Sequence, residues 1–361
     1  MRYVVAMSGG VDSSVAAALL AEQGHDVIGV SMQLYDQSDR QPPSTGSERG
    51  NFGTCCTIDD LYDARRVAAA IGIPHYIVNF ENRFHEQVVS NFIREYGAGR
   101  TPIPCAHCNA DLKFATLLER ALGFGGEALA TGHYARIELT ADGPFVLRRG
   151  IDTAKDQTYF LFSLTQEQMA HAAFPVGHLD KATVRQHAER LKLRVASKPD
   201  SQEICFVPNG DYATFIEKAA PELKRPGTLL NQDGEIVGGH QGVHRYTIGQ
   251  RKGLGLSSKA PLYVLEIRPQ TAEVVVGPRS ALGRATLTAS SVNWVSGRAP
   301  LQWTSVGAQI RYKHLAAPAR VRALDVGRAE VEFEEEQTAI TPGQAVVLYD
   351  GDVCLGGGWI D

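Results

Sequence analysis

The feature that most constrains the fold is a glycine-containing loop near the start of the chain. The segment Ser8-Gly9-Gly10-Val11-Asp12-Ser13-Ser14 directly follows an apolar run from Tyr3 to Met7, and a helical pattern continues from Val11 to about Ala21. Two glycines allow a tight turn between a strand and a helix, and they let backbone N–H groups approach a ligand closely. Because the positive end of the helix points at the same place, the pattern predicts an anion site in a nucleotide-binding α/β domain.

The loop also indicates how a nucleotide would be used. It lacks the Gly-Lys-Ser/Thr ending of a Walker A motif, so no lysine is placed to hold the β- and γ-phosphates as in kinases and GTPases. Hydroxyls and backbone amides around a pyrophosphate suit an enzyme that cleaves ATP between the α- and β-phosphates and leaves an adenylate on its substrate. The loop therefore predicts adenylation without naming the acceptor.

The composition is that of a soluble protein with two or three domains. The chain has 361 residues, of which 43% are hydrophobic, and no apolar run approaches the length of a membrane span. The sequence has no secretory signal pattern, so we expect a cytoplasmic protein without a membrane partner. Six cysteines in such a protein favour reactive, metal-binding or buried thiols over a disulfide framework.

The charge is mildly acidic overall but unevenly distributed. A net charge of −4 argues against a nonspecific nucleic-acid binder, which needs a broad basic surface. The segment from Lys181 to Asp200, however, contains six basic residues and only two acidic ones. Further basic clusters lie at 244–252 and 311–314. Each cluster is typical of a solvated surface, and the three together are compatible with one structured polyanion as partner.

Hydrophobic patterning predicts an α/β doubly wound parallel sheet, followed by a β-rich half. Strands are predicted at Val27–Met32 and His75–Val78, a helix at Ile58–Ile71, and a buried strand from Ala128 that ends near Gly132. Ligands of such a sheet are expected at the carboxyl ends of its strands. The segment 35–57 is polar and long enough to be a binding loop or a lid.

After about residue 205 the helical pattern gives way to short alternating segments. Glycines become frequent, and stretches such as Tyr263–Ile267 and Ala345–Tyr349 read as strands. We therefore predict a catalytic domain at 1–205, a small β-rich middle domain at 206–279 and a C-terminal β-barrel at 280–361.

Two cysteines are candidates for the chemistry. Cys108 follows a proline-spaced loop and precedes a helix predicted to open near Asn109, a position that favours the thiolate and therefore a nucleophile. Cys205 lies at the predicted junction of the two halves. If the two thiols meet at the nucleotide site, one could carry sulfur and the other could resolve it by disulfide exchange.

The spacing of Cys105 and Cys108 is also compatible with a metal site. A single C-x-x-C pair with one distant cysteine makes a weak zinc site. Cys105, Cys108 and Cys205 could instead hold a [4Fe-4S] cluster with one iron open. Cys55 and Cys56 are adjacent and poorly placed as ligands, and Cys354 lies among glycines and is expected to be structural.

Four blocks of this sequence resemble the tRNA-specific 2-thiouridylases (the MnmA family), which belong to the ATP-pyrophosphatase-loop superfamily. The blocks are 6–14, the Cys108-Asn109…Lys113-Phe114 segment, 201–206 and 244–255. The resemblance implies that ATP and Mg²⁺ adenylate the C2 oxygen of uridine 34 in certain tRNAs. Sulfur carried as a persulfide on Cys205, supplied by a donor protein, would then replace that oxygen. Cys108 would act as nucleophile or resolving thiol, ending in a Cys108–Cys205 disulfide.

The resemblance also implies an adenine nucleotide α-hydrolase-like fold for the first domain and a set of binding residues. The positions that match the family's ATP contacts are Ala6, Met7, Ser8, Gly9, Gly10, Val11, Asp12, Ser13, Met32 and Gly132. Those that match its tRNA contacts are Ile103, Pro104, Cys105, His133, Lys155, Asp156, Gln157, Arg311, Tyr312 and Gln344.

One position departs from the family pattern. Many members have an aspartate three residues before the first catalytic cysteine, where it could act as general base, and this chain has Cys105. The identity of the base is therefore open, and so is the iron–sulfur alternative. Two other functions compete: an ATP pyrophosphatase acting on a small molecule, which would leave both cysteines unused, and a non-catalytic RNA- or nucleotide-binding protein, which the intact loop opposes.

Overall fold

A parallel sheet forms the centre of the first part of the chain. The computed structural model describes residues 1–35, 57–141, 143–200, 204–207 and 210–361. Strands β1 (Arg2–Ala6), β2 (Asp26–Gln33), β3 (His75–Asn79), β4 (Ala128–Ala130) and β7 (Ala172–Ala173) lie in the order β3-β2-β1-β4-β7, and every neighbouring pair is parallel. Since β1 is central and the chain continues on its other side at β4, the order in which strands are added reverses between these two parallel strands. The predicted doubly wound fold is confirmed.

Helices cover both faces of this sheet. Helices α1 (Val11–Glu22), α2 (Ile58–Ile71) and α8 (Lys181–Arg190) pack on one face in a core that includes Val5. The other face is covered by α3 (Glu81–Phe84), α4 (Ser90–Gly97), α5 (Pro104–His107) and α6 (Leu118–Gly123). Helix α7 (Gln166–Ala170) is short and capped by Thr165. The predicted helix 58–71 is confirmed and ends at Gly72, whose positive φ is typical of a helix C-terminus.

Two of the covering helical segments contain π-helical turns. His85–Val89 joins α3 to α4, and Cys108–Leu117 joins α5 to α6. The prediction that a helix opens near Asn109 was wrong, because the helical backbone already begins at Pro104. Proline is favoured at the first helical position, since it lacks an N–H and its φ is preset. Cys105 therefore lies in the first turn, and Cys108 lies one turn further in.

The middle of the chain forms a small sheet of its own. Helix α9 (Tyr212–Ala219) precedes β8 (Gly227–Leu230), β9 (Ile236–His240), β10 (Tyr263–Arg268) and β11 (Glu273–Gly277), which lie in the order β10-β11-β8-β9. Short 3₁₀ turns occupy Val243–Arg245 and Arg279–Leu282. Leu229, Val264 and Val274 are fully buried in the core of this unit.

The last six strands close into a barrel. They are β12 (Gly283–Trp294), β13 (Thr304–Gln309), β14 (Ala317–Asp325), β15 (Arg328–Thr338), β16 (Ala345–Asp350) and β17 (Val353–Ile360). Their order is β12-β15-β14-β13-β16-β17, and β12 also pairs with β17, which closes the ring. The predicted C-terminal barrel is confirmed.

A hairpin from the first part of the chain extends the barrel sheet. Strands β5 (Ala135–Leu139) and β6 (Phe145–Arg149) pair with each other, and β6 pairs with β17 opposite Val353 and Cys354. The segment that follows β4 is therefore hydrogen-bonded to the barrel. Across the described ranges, no helix is both long enough and apolar enough to cross a bilayer.

Candidate active site

The Ser8–Ser14 loop connects the central strand β1 to helix α1, as predicted. The N–H of Ser8 donates to Ser13 Oγ at 3.1 Å, and the two serine hydroxyls lie 3.2 Å apart. Ser14 Oγ donates to the carbonyl of Gly10 at 2.7 Å. Gly10 caps α1 without a side-chain hydrogen bond, so the first backbone N–H groups of the helix receive no side-chain cap. Such a helix start at the carboxyl end of a central strand is suited to bind phosphate.

Two glycines allow backbone segments to approach each other at this loop. Gly9 has a φ of +73°, and a Cβ built there would lie 2.2 Å from the carbonyl oxygen of Asp60. Gly132 follows β4, and its Cβ would lie 2.4 Å from the backbone nitrogen of Ser13. The end of β4 therefore lies against the first turn of α1, which places both predicted segments at one edge of the sheet.

Acidic Asp12 lies at the start of α1 and is paired within the protein. Lys181 Nζ contacts both carboxylate oxygens of Asp12 at 2.8 Å, and the Tyr134 hydroxyl donates to Oδ1 at 2.7 Å. Lys181 also contacts Asp200 at 2.7 Å, as does Lys155. Burial opposes the charge of Asp200, but the hydrogen bonds from the two lysines outweigh it and hold the pKa of that carboxyl below its usual range. Two lysines and two carboxylates therefore form a network of ion pairs beside the start of α1.

The C-x-x-C segment is held in place by the barrel. The His107 ring stacks on Trp359 of β17, with centroids 4.3 Å apart and planes 4° from parallel. The buried side chain of Asn109 donates to the carbonyl of Phe160 at 3.1 Å and accepts from Lys113 at 3.0 Å. Cys105 is exposed, whereas Cys108, three residues later, is half-buried.

Cys205 is half-buried on the same face of the central sheet. The neighbouring Phe206 ring packs edge-on against Phe84 and Phe92, with centroids 5.5 and 5.1 Å apart. The helical segment 81–97 that carries these rings also contacts the helix of Cys108. The two thiols thus lie beside a shared helical support.

The cysteines do not form a cluster site in this structure. Among the described residues, which include Cys105, Cys108 and Cys205, no three His, Cys, Asp or Glu side chains converge as metal ligands. This arrangement does not fit the alternative of a [4Fe-4S] cluster. Cys55 and Cys56 lie outside the described residues.

The residues predicted to contact tRNA fall into two groups, which differ in how accessible they are. Several have partners inside the protein. His133 bonds to Thr131 at 2.7 Å, and burial together with Lys113 holds the pKa of His133 well below its usual value. Asp156 accepts from Arg149 at 2.7 Å, and Gln157 accepts from the N–H of Tyr134 at 3.0 Å. Ile103 and Pro104 are buried.

The other predicted tRNA contacts are at least partly accessible. Cys105 is exposed, and Lys155, Arg311, Tyr312 and Gln344 are half-buried. The Tyr312 ring lies 4.5 Å from that of Phe160. Gln344 donates to the carbonyl of Thr101 at 2.8 Å. Gln344 and Tyr312 thus connect the barrel part of the chain to the segments of Thr101 and Phe160. The role of all five residues in RNA binding stays a prediction.

Comparison with known proteins places the chain in a family. A family model described as tRNA methyl transferase HUP domain matches residues 1–209, a PRC-barrel domain of the same series matches 213–278, and an aminomethyltransferase beta-barrel domain matches 284–360. The tRNA-specific 2-thiouridylase MnmA of Geotalea uraniireducens is 52% identical over 362 residues, which covers 100% of this chain and 95% of that protein. The chain belongs to the tRNA-specific 2-thiouridylase family. Relatives of the same name from Geobacter metallireducens and Solibacter usitatus are 51% and 52% identical, over 100% and 99% of this chain and 96% and 98% of theirs.

Solved structures resemble the chain only distantly. A 4-thiouridine synthetase–RNA complex with bound ATP is 15% identical and has a TM-score of 0.35, covering 61% of this chain and 50% of that one.

Sequence reasoning missed several residues that build the site of this 2-thiouridylase family member. Lys181 and Lys198 were seen only as part of a basic run, and Trp359 and Thr101 were not singled out. No local sequence pattern indicates the role of these residues, because their contact partners are far away in sequence. The one available signal was the density of lysine and arginine between 181 and 200, which the structure places beside the Ser8–Ser14 loop.

Lys198 ties this loop to helix α2, and its removal should destabilise the enzyme. Its Nζ lies 2.6 Å from buried Asp60, 2.8 Å from Asp63 and 3.0 Å from the carbonyl of Gly9. Lys198→Met leaves Asp60 without its cation. Because the pair is only partly buried, we expect a loss of about 2 kcal/mol, between about 1 kcal/mol for exposed pairs and about 3–5 kcal/mol for buried ones. The thermal unfolding midpoint should fall by about 5 °C, whereas Lys218→Met, at an exposed lysine, should not change it.

The same contact predicts a pH dependence. Burial opposes the charge of Lys198, but the hydrogen bonds to Asp60 and Asp63 outweigh it and raise the pKa of Lys198 above 10.5. A raised pKa in the folded state means that this contribution is complete below about pH 10.5 and is lost as pH rises through the folded value. The difference in midpoint between wild type and Lys198→Met should therefore shrink above pH 10.5. A difference that stays constant into strong alkali would contradict the assignment.

Proposed function

We propose that this protein catalyses the ATP-dependent 2-thiolation of uridine at wobble position 34 of tRNA. The observation that carries the proposal is the full-length identity of 52% to a protein named tRNA-specific 2-thiouridylase. The family model's own description names methyl transfer instead. Two half-buried thiols beside one helical support favour sulfur transfer, because thiols are needed to carry and resolve sulfur.

ATP would bind at the edge of the sheet where β1, β2 and β4 end. Backbone N–H groups of the Ser8–Val11 turn and the hydroxyls of Ser8 and Ser13 would hold the phosphates. Gly132 would let the end of β4 lie against the first turn of α1 and so fix the helix start that holds the phosphates. Ala6, Met7 and Met32, at the ends of adjacent strands, would contact the nucleoside. The role proposed for Mg²⁺ is to neutralise the phosphates. Since Asp12 is already paired with Lys181, we infer that phosphate oxygens and water supply most of the metal's ligands.

The first chemical step would activate the base. The C2 oxygen of uridine 34 attacks the α-phosphorus of ATP, and pyrophosphate leaves. A carbonyl oxygen is a poor leaving group, whereas AMP is a good one. The base must be unstacked from the anticodon to reach the loop, as in other enzymes that modify a base.

The second step would transfer sulfur. A donor protein loads Cys205 as a persulfide, whose terminal sulfur attacks C2. Cys108 then attacks the inner sulfur of Cys205. The S–S bond to the transferred sulfur breaks, AMP departs, and the two thiols end as a Cys108–Cys205 disulfide. The two electrons that reduce the transferred sulfur come from these thiols, so an external reductant must reopen the disulfide.

We propose that the three predicted domains divide this work. Residues 1–205 would adenylate the base, whereas 206–279 and 280–361 would hold the tRNA beside the C-x-x-C helix. A tRNA substrate and an ATP-dependent reaction would place the enzyme in the cytoplasm.

The test is to incubate the full-length protein with unmodified tRNA, ATP, Mg²⁺ and a persulfide source, and to analyse the digested nucleosides by mass spectrometry. We expect 2-thiouridine to form, and a tRNA with cytidine at position 34 should gain no sulfur. AMP and pyrophosphate produced without tRNA, with no 2-thiouridine, would instead favour a small-molecule substrate.

A further inference from the structure

A cavity lies where the three parts of the chain meet. Its volume is about 500 Å³, in the range of small-molecule and nucleotide sites. Thr101 contributes from the loop before the C-x-x-C segment, the turn Thr247–Gln250 and Arg279 contribute from the middle unit, and Arg311 and Gln344 contribute from the barrel. The cavity therefore includes two positions already predicted to contact tRNA, together with Arg279 and a turn of the 244–255 block, to which no binding role was given.

The cavity is positively charged. Arg279 and Arg311 line it, and none of its lining residues, all of which are described, is acidic. Hydroxyls of Thr101, Thr247 and Thr341 and the amides of Gln250 and Gln344 add polar groups to the lining. The hydroxyls of Thr101 and Thr341 and the amides of Gln250 and Gln344 already donate within the protein. The two guanidinium groups are therefore the main donors that the cavity offers to an anion.

The two guanidinium groups lack an internal counterion. Arg311 is half-buried and donates to the carbonyls of Thr338 and Ala339. Neither Arg279 nor Arg311 forms an ion pair with any carboxylate in the described part of the chain, whereas Arg320 and Arg322 on the same barrel are paired with Glu332 and Glu330. Burial lowers the pKa of Arg311, because its desolvation outweighs the favourable interaction with Tyr159, whereas Arg279 is exposed. An incoming anion would supply the missing charge.

We propose that this cavity binds a nucleotide unit of the RNA backbone, with its phosphate between Arg279 and Arg311. The proposal rests on the proposed function and extends it, because it adds Arg279 and the Thr247–Gln250 turn to the RNA-binding surface. Phosphate contacts of this kind position an RNA without reading its sequence. The site would therefore set the register of the tRNA relative to the catalytic loop.

The position of Thr101 connects the cavity to the cysteines. Its N–H donates to the carbonyl of Pro342 at 2.8 Å, its carbonyl accepts from Gln344 at 2.8 Å, and its hydroxyl donates to Thr247 at 3.2 Å. Thr101 lies four residues before Cys105 in the same loop. A nucleotide held in the cavity thus touches the segment that leads directly to the C-x-x-C helix.

The test is tRNA binding to the full-length protein at several salt concentrations. Arg279→Gln should weaken binding about tenfold and reduce the slope of log Kd against log salt by about one, as for the loss of one phosphate contact. Arg279→Lys keeps the charge and should keep the slope. Arg298→Gln removes an exposed arginine outside the cavity and is the matched control, so it should retain the wild-type affinity and slope.

Two results would overturn the proposal. One is an Arg279→Gln variant with wild-type affinity and slope. The other is a result that indicates a site for free anions. Inorganic phosphate would then raise the unfolding temperature of wild type but not of Arg279→Gln, and the slope of log Kd for tRNA against log salt would be the same for both proteins. Failure of the proposed function is distinguishable from failure of this proposal. In that case the wild-type protein itself would form no 2-thiouridine, whatever the Arg279 variants show in the binding experiment.

Discussion

Cys205→Ser is expected to abolish 2-thiouridine formation while tRNA-dependent release of pyrophosphate continues near the wild-type rate. Serine has nearly the same shape as cysteine but cannot carry a persulfide sulfur. Loss of a covalent carrier removes the route itself, so we expect the rate of thiolation to fall roughly a thousandfold or more. The adenylation loop is built from other residues and should be unaffected. Nucleoside mass spectrometry and a pyrophosphate assay on the same samples measure the two steps separately.

Cys354→Ala is the matched control for this variant. Cys354 is buried in the barrel, and burial raises its pKa to about 12, so it remains a thiol at neutral pH. Its removal should leave both steps intact. Cys108→Ser should give a third result, in which Cys205 is loaded with sulfur but turnover stops, because no thiol resolves the persulfide. If 2-thiouridine persists with Cys205→Ser, the assigned sulfur carrier is wrong.

The parts of the fold that could be predicted are those governed by local pattern. The strand before Ser8 and the helix at 58–71 were predicted within one or two residues, because continuous apolar runs and helical periodicity are short-range signals. The glycines of the loop were recognised for the same reason. The helix at Pro104 was predicted to start too late, since its opening is set by proline rather than by a polar cap at Asn109.

What could not be predicted depends on contacts between distant segments. The hairpin 135–149 reads as part of the first domain, yet it hydrogen-bonds to the barrel more than two hundred residues later in the chain. The stacking of His107 on Trp359 and the bonds of Thr101 are of the same kind. Each of these contacts joins two residues, and the sequence around either one does not indicate the other. The candidate residues were therefore found by motif, whereas the groups that orient them required the structure.

Gly132→Ala is expected to weaken ATP binding about ten- to a hundredfold. The new Cβ would lie 2.4 Å from the backbone nitrogen of Ser13 and 2.6 Å from the backbone carbon of Asp12. Because both atoms belong to the first turn of α1, the clash can be relieved only by shifting the helix start that would hold the phosphates. Overpacking of this kind costs about 1–3 kcal/mol, and every 1.4 kcal/mol corresponds to a tenfold change in affinity.

The pattern of losses distinguishes this variant from Cys205→Ser. Adenylation and thiolation both require ATP, so Gly132→Ala should lower them together, and high ATP concentrations should partly restore both. Gly123→Ala is the matched control, because a Cβ at the end of α6 meets no atom within 4 Å. ATP titrations followed by calorimetry, with far-UV circular dichroism to verify folding, provide the measurement. If the folded Gly132→Ala protein binds ATP as wild type does, the nucleotide does not use the α1 start, and the close approach of β4 to α1 serves packing alone.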